Sequence, residues 1–203
     1  MRIWRTVSAQ FGKPSGALGS VAGFVMAHRE SNRERNAWAV DLLRVQPGDD
    51  VLEIGFGPGL ALEMISRSPG IGTVYGIDHS QKMISLARKR NRDAIATGRM
   101  KLLLASASPL PWFDTNFDKV LAVNSFQFWN EPAKSLQSIR ECMKKGGTLA
   151  LVHQPRKPGA TGRDALEAGN RMSVLMSDAG FERIGLHVRE MKPVETVCAL
   201  GIA

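Results

Sequence analysis

Residues 51–59, VLEIGFGPG, set a carboxylate, Glu53, inside an apolar run and follow it with three glycines in five residues. An apolar run that ends in a glycine turn and passes into a helix leaves backbone amides open to a ligand, because no Cβ stands in the way. The spacing narrows the ligand. A dinucleotide turn needs Gly-x-Gly-x-x-Gly, whereas here Gly55, Gly57 and Gly59 alternate and Leu60 stands where the third glycine belongs. The Gly-Lys-Ser/Thr ending of a phosphate loop is also missing, so no lysine is there to hold a β- or γ-phosphate. A ligand with cationic groups and no phosphate accounts for Glu53. A second acid, Asp78, falls 19 residues after Gly59 at the end of the next apolar run, where a carboxylate can accept both hydroxyls of a ribose. It also has a structural use as a cap near Ser80 for the helix that follows.

From residue 50 short apolar runs alternate with amphipathic ones, the pattern of a parallel sheet flanked by helices. The spacing predicts strands at 51–54, 73–77, 101–104, 118–123 and 148–152. One helix follows Gly59, with Ala61, Met64 and Ile65 inward and a stop at Pro69-Gly70. The next is capped by Ser80 and buries Met83, Ile84 and Ala87. A third starts at about Pro132, with Leu136, Ile139 and Met143 on one face, and closes at Gly146-Gly147. A helix over 163–179 precedes two strands, 184–190 and 195–200, close enough through Lys192-Pro193 to pair as an antiparallel hairpin. The expected fold is α/β, a seven-stranded, mostly parallel sheet with helices on both faces and an antiparallel closing strand. Residues 1–44 mix Gly, Ser and charge with Trp4, Phe11, Phe24 and Trp38 but show no strand pattern. They read as short helices forming a lid or substrate segment ahead of a single ligand-binding unit over 45–203.

The run Glu53-Ile54-Gly55-Phe56-Gly57-Pro58-Gly59 resembles, residue by residue, the acid-x-Gly-x-Gly-x-Gly first motif of class I S-adenosylmethionine-dependent methyltransferases. The resemblance is specific over roughly residues 46–152. It implies a Rossmann-like methyltransferase fold, S-adenosyl-L-methionine as cofactor and methyl transfer as activity. Under it, Glu53 stands near the cofactor's ammonium and sulfonium, while the cofactor's own carboxylate sits at the helix N-terminus behind Gly55, Phe56, Gly57 and Gly59. Asp78 takes the ribose. His79 and Met83 fall where they can pack on the adenine edge, Met83 equally well as core. The family usually places an acidic Gly-Asp-Ala near the end of the third strand, before a Leu-Pro-Phe-like segment. Here residues 105–113 read ASASPLPWF, which keeps the frame but puts Ser106 in place of the acid. Adenine recognition then leans on the Ser106 hydroxyl, weaker than a charged partner, and on the backbone at Ala107. Asn124 opens the segment NSFQFW at the carboxyl end of the fourth strand, facing both cofactor methyl and acceptor. That segment differs from the Asn-Pro-Pro-Tyr type of enzymes that methylate exocyclic base amines.

Methyl transfer from a sulfonium is an in-line displacement, so the protein mainly supplies approach geometry and, where the acceptor must lose a proton, a base. Of the four histidines, His153, after the fifth strand, is the candidate base. His28 lies in the lid segment as a substrate contact, His79 flanks the ribose acid and His187 falls in the hairpin. Each also reads as a surface or structural histidine. Phe126, Phe128 and Trp129 form either an apolar wall for the acceptor or part of the core.

The chain has 203 residues, 43% hydrophobic and 23% charged, which suits one domain with a sizeable core and sets disordered and fibrous classes aside. Cys142 and Cys198 match no metal spacing, so no metal site is expected and both read as reduced thiols of a cytoplasmic protein. Residues 15–27 are broken by Gly16, Gly19 and Gly23 and are too short to span a bilayer. They read as a glycine-rich helix on the core or a peripheral membrane contact in preference to a cleaved signal. The run GKPSG at 12–16 reads as a basic loop that closes over an anionic group, or as a plain connector. The net charge of +8 is densest in residues 1–44, where seven lysines and arginines face three acids. Arg88, Lys89, Arg90 and Arg92 read as a helix end complementing the dipole in preference to a nucleic-acid contact. The expected acceptor is a small organic molecule, a metabolite or lipid-like compound. An RNA or protein acceptor, favoured by charge but without an appended binding domain, is one alternative; a non-catalytic cofactor-binding regulator is another. Oligomeric state is not legible.

Overall fold

The computed structural model describes residues 30–203. His28, the basic loop at 12–16 and the glycine-rich stretch at 15–27 lie outside the described residues. The elements in chain order are α1 (Glu30–Leu43), β1 (Val51–Ile54), α2 (Leu60–Ser66), β2 (Val74–Asp78), α3 (Gln81–Arg90), α4 (Arg92–Ala96) and β3 (Met100–Leu104). Then come β4 (Phe117–Val123), a 3-10 turn (Phe126–Phe128), α5 (Pro132–Glu141), β5 (Met143–His153), α6 (Gly162–Asp178), β6 (Glu182–Arg189) and β7 (Thr196–Ile202). The strands form one seven-stranded sheet in the order β3-β2-β1-β4-β5-β7-β6. β3, β2, β1, β4 and β5 pair parallel, and β7 inserts antiparallel between β5 and β6. The antiparallel closing strand is therefore the last in sequence and lies one place inside the sheet edge.

β1 and β2 are buried along their whole length, as strands covered on both faces must be. Alternation sorts their side chains. Val51 faces a core shared with Trp38, Ala39 and Leu43 of α1 and Ala61, Leu62 and Ile65 of α2, while Leu52 and Ile54 face a second core built with Leu136 and Ile139 of α5 and Met172 and Met176 of α6. Helices α1 to α4 thus cover one face of the sheet and α5 and α6 the other. At the amino ends of the strands, Asp50 accepts from the Thr73 amide at 2.9 Å and Asp118 accepts from the Asp50 amide at 2.8 Å, tying β1, β2 and β4 in register. The carboxyl ends stay open to the turns that follow.

Several expectations shift in detail. Met64 is half-buried and Leu62 takes the inward place beside Ala61 and Ile65. α5 ends at Glu141, so Met143 and Gly146-Gly147 belong to β5 rather than to the helix. The glycines act as a strand irregularity: the β4–β5 register slips between Phe117 and Lys119, and a Cβ on Gly147 would come within 2.9 Å of the Lys144 carbonyl and 3.0 Å of the Asp118 carbonyl. The short helix α4 has no counterpart in the periodicity. Both cysteines carry free thiols, and burial pushes Cys142 up to about 11 and Cys198 up to about 12. Among the described residues no helix is long and apolar enough to cross a membrane.

Candidate functional site

β1, β2, β4 and β5 all deliver their carboxyl ends to one edge of the sheet, the edge where open parallel sheets bind ligands. After β1 the chain turns on Gly55, Gly57 and Gly59, with φ of 72°, 54° and 76°. These are left-handed values that side chains disfavour. Gly55 has a second reason to be bare, since a Cβ there would collide with the Ser125 side chain at the end of β4. Ser125 in turn donates its hydroxyl to the Ile54 carbonyl at 2.6 Å. Gly59 is closed in by α3, where an added Cβ would lie 2.7 Å from Asn91 Nδ2 and 2.8 Å from Ala87 Cβ.

The end of α3 also fixes the far side of the turn. Asn91 Nδ2 donates to the Gly59 carbonyl at 3.1 Å, and Arg90 Nε donates to the Pro58 carbonyl at 3.1 Å while its Nη1 pairs with Glu63 at 2.8 Å. Arg90, one of the four clustered cations, is thereby engaged within the fold.

Glu53 is 2% exposed, and its side chain shares the sheet face of Val51, toward α2. Its Oε2 has no hydrogen-bond partner. Burial pushes its carboxyl well above the usual range; a hydrogen bond from the Leu62 backbone offsets part of this and the nearby Asp78 charge adds to it. A buried acid with an empty acceptor atom is costly unless a cation or donor completes it.

Asp78, at the tip of β2, accepts from the Gly57 amide at 2.9 Å through Oδ2 and from the Ser80 amide at 2.8 Å through Oδ1. Burial raises its pKa, and the two amides and His79 act against that rise. Ser80 caps α3, accepting from the Met83 amide. The structure thus brings Glu53, the glycine turn and Asp78 together at the tips of two adjacent strands.

The other candidates scatter more. Phe56 points into the core, its ring beneath Gly76, and contributes only backbone to the turn. Met83 is core under α3, and His79 is exposed beside Asp78. Ser106 is exposed and its hydroxyl accepts from the Ser108 amide at 3.1 Å, whereas Ala107 is buried. Asn124 adopts φ 51° and locks the end of β5, its Oδ1 accepting from the Gln154 amide at 2.7 Å. Phe126 is buried and stacks at a tilt on half-buried Trp129, ring centroids 5.1 Å apart, while Phe128 is exposed. His153 shares the sheet face of Leu149 and Leu151; burial, with a lesser push from the Arg35 charge, lowers its pKa from 6.5 to about 4.

A buried carboxylate with an empty acceptor, beside a turn stripped of Cβ atoms and a second acid set for a diol, fits a cationic nucleoside such as S-adenosylmethionine. The family model described as "Methyltransferase domain" matches residues 52–151. The uncharacterized methyltransferase YdaC of Bacillus subtilis is 32% identical over 179 residues, covering 88% of this chain and 96% of that protein. The chain belongs to the S-adenosylmethionine-dependent methyltransferase family.

This methyltransferase is also 30% identical over 124 residues to the ubiquinone/menaquinone biosynthesis C-methyltransferase UbiE of Geobacter sp., covering 60% of this chain and 52% of that one. It spans about half the length of several such relatives. Its fold matches a S-adenosylmethionine-dependent methyltransferase from Aquifex aeolicus with a TM-score of 0.67 at 21% identity, over 86% of this chain and 93% of that one. Sequence reasoning about the methyltransferase site passed over Ser125, Asn91, Gln154 and Arg35. The first two were legible only through glycines that leave no room for a side chain. The last two form a contact between α1 and the end of β5 that no local pattern announces.

Proposed function

We propose that this methyltransferase transfers a methyl group from S-adenosylmethionine to a small organic acceptor, with Glu53 and Asp78 holding the cofactor. The observation that carries the proposal is the unpartnered Glu53 Oε2, buried beside the glycine turn. Once ionised, Glu53 supplies the acceptor that an ammonium requires. Asp78 Oδ1 and Oδ2 each carry one backbone hydrogen bond, which fixes the carboxylate and leaves lone pairs for two ribose hydroxyls. The backbone of Gly55, Gly57 and Gly59 borders the amino-acid end, and His79, Ser106 and Ala107 border the adenine.

When bound, the cofactor supplies an electrophilic methyl on a sulfonium. The residues of the chain orient it and shape the space beside it. Asn124, Phe126 and Trp129 at the end of β4 border the acceptor, and His153 at the end of β5 is neutral at pH 7 and is assigned as proton acceptor where the acceptor needs one. A small acceptor is supported by relatives described as ubiquinone/menaquinone C-methyltransferases and O-methyltransferases. The test is turnover of S-adenosylmethionine to its demethylated product with a panel of phenols, quinols, amines and carboxylates, beside an RNA and a protein panel. Methylation confined to RNA or protein contradicts the proposal.

A further inference from the structure

A second buried polar atom on the same side of the sheet has no partner, and it carries the opposite charge. Arg35 projects from α1 to the carboxyl end of β5, where it is 4% exposed. Its Nη1 donates to Gln154 Oε1 at 2.7 Å and its Nη2 donates to Asn32 Oδ1. Its Nε is buried with no acceptor. Both partners are neutral amides, and none of the ion pairs among the described residues includes Arg35. Burial, with a lesser push from the like charge of Arg156, pulls the guanidinium down to about 9. The group is still cationic at pH 7.

The neighbours position this charge without neutralising it. Gln154 is fully buried, and its Nε2 donates to the Val194 carbonyl at 2.6 Å and the Lys192 carbonyl at 3.2 Å. The amide is thereby held with its oxygen toward Arg35, since flipping it would set donor against donor at Arg35 and acceptor against acceptor at the two carbonyls. The two bonds account for two of five guanidinium N–H groups. Nε–H is left as a charged donor in the guanidinium plane, suited to one oxygen of a carboxylate. A cross-link between α1 and β5 needs only the two amide contacts and would leave a buried charge uncompensated, a costly arrangement. Gln154 also pairs with Asn124, and Asn124 adjoins the Ser125 that abuts Gly55. These contacts link the cation to the carboxyl ends of β4 and β5, beside the proposed cofactor site.

We propose that Arg35 is the carboxylate anchor of this crevice, taking either the carboxylate of the cofactor's amino-acid end or a carboxylate on the acceptor. The proposal rests on the cofactor assignment for its place in the reaction, and its test is separable from that assignment. The probe is the Arg35 Nε–H resonance in the 15N-labelled full chain, assigned by its disappearance in Arg35→Lys. S-adenosylhomocysteine and 5′-methylthioadenosine, which lacks the amino-acid end, are titrated first; acetate, with acetamide as its neutral control, is then added to the protein loaded with each.

If the carboxylate is the cofactor's, S-adenosylhomocysteine shifts the Nε–H and 5′-methylthioadenosine does not. Arg35→Lys then lowers affinity for the first about tenfold and spares the second. If it is the acceptor's, neither nucleoside shifts the resonance and acetate does so on the loaded protein, with no response to acetamide. A resonance unmoved by S-adenosylhomocysteine and by acetate overturns the proposal. If S-adenosylhomocysteine gives neither heat of binding nor movement of the Gly57 amide, the cofactor assignment fails, and the acetate response still decides the anion site.

Discussion

The Gly57 amide donates to the Asp78 carboxylate at 2.9 Å, so the acid that ends β2 also pins the glycine turn after β1. One side chain thereby fixes the spacing between the two strand tips across which the cofactor is proposed to lie. Asp78→Asn keeps the size and one acceptor oxygen but loses the charge. It is expected to weaken S-adenosylhomocysteine binding by about 1.5–3 kcal/mol, the value of a hydrogen bond to a charged group. Calorimetric titration measures this, and an analogue lacking both ribose hydroxyls should bind the two proteins alike.

Glu53 gives a pH signature. Its carboxyl in the ligand-free protein lies well above the ordinary range because burial disfavours the anion, so part of the population is protonated where an exposed glutamate would be ionised. Only the anion pairs with the cofactor's ammonium. Affinity for S-adenosylhomocysteine should therefore rise with pH through the elevated pKa, and binding should release a proton, seen as a dependence of the calorimetric heat on the buffer's ionisation enthalpy. Glu53→Gln should bind more weakly and lose both effects.

Gly55 should tolerate substitution poorly for two separable reasons, its φ of 72° and its contact with Ser125. Gly98 shares the first without the second, having φ 74° and nothing within 4 Å of an added Cβ. Gly98→Ala should cost about 1 kcal/mol in urea denaturation and Gly55→Ala clearly more, up to about 3 kcal/mol. Equal losses would remove the claimed Ser125 contact.

His153 sets an acid limit on stability. The unfolded chain takes a proton at about 6.5, whereas the folded imidazole takes one only at about 4, held neutral first by burial and then by Arg35. Above pH 6.5 both states are neutral and the contribution is complete; as pH falls through 6.5 toward 4 the unfolded state gains a proton that the folded state refuses, and stability drops. The loss is on the order of 3 kcal/mol at full extent. His153→Gln should flatten the stability profile in that window, as thermal melts at stepped pH would show.

The sheet was legible because its signal is local. Short apolar runs such as 51–54 and 118–123 recur between amphipathic segments, and both faces of a parallel sheet demand them. The Glu53, glycine turn and Asp78 constellation was legible for the same reason, since spacing along the chain determines where strand tips fall. Gly146-Gly147 misled because glycine pairs end helices and also mark strand irregularities, and only the pairing with β4 tells which. Phe56 shows a similar limit: its place in the motif is plain, but the cavity left by Gly76, which receives its ring, is a tertiary fact. Arg35 could not be seen at all. A charged residue on a predicted helix reads as solvated, and its burial against Gln154, 119 positions away, is set by packing alone.

The most direct test is a crystal structure of the full chain grown with S-adenosylhomocysteine. The ribose hydroxyls should lie within hydrogen-bond distance of Asp78, the amino-acid end should follow the Gly55–Gly59 turn, and an ammonium should complete Glu53 Oε2. A ligand bound elsewhere, or a Glu53 carboxyl that meets no part of it, contradicts the account.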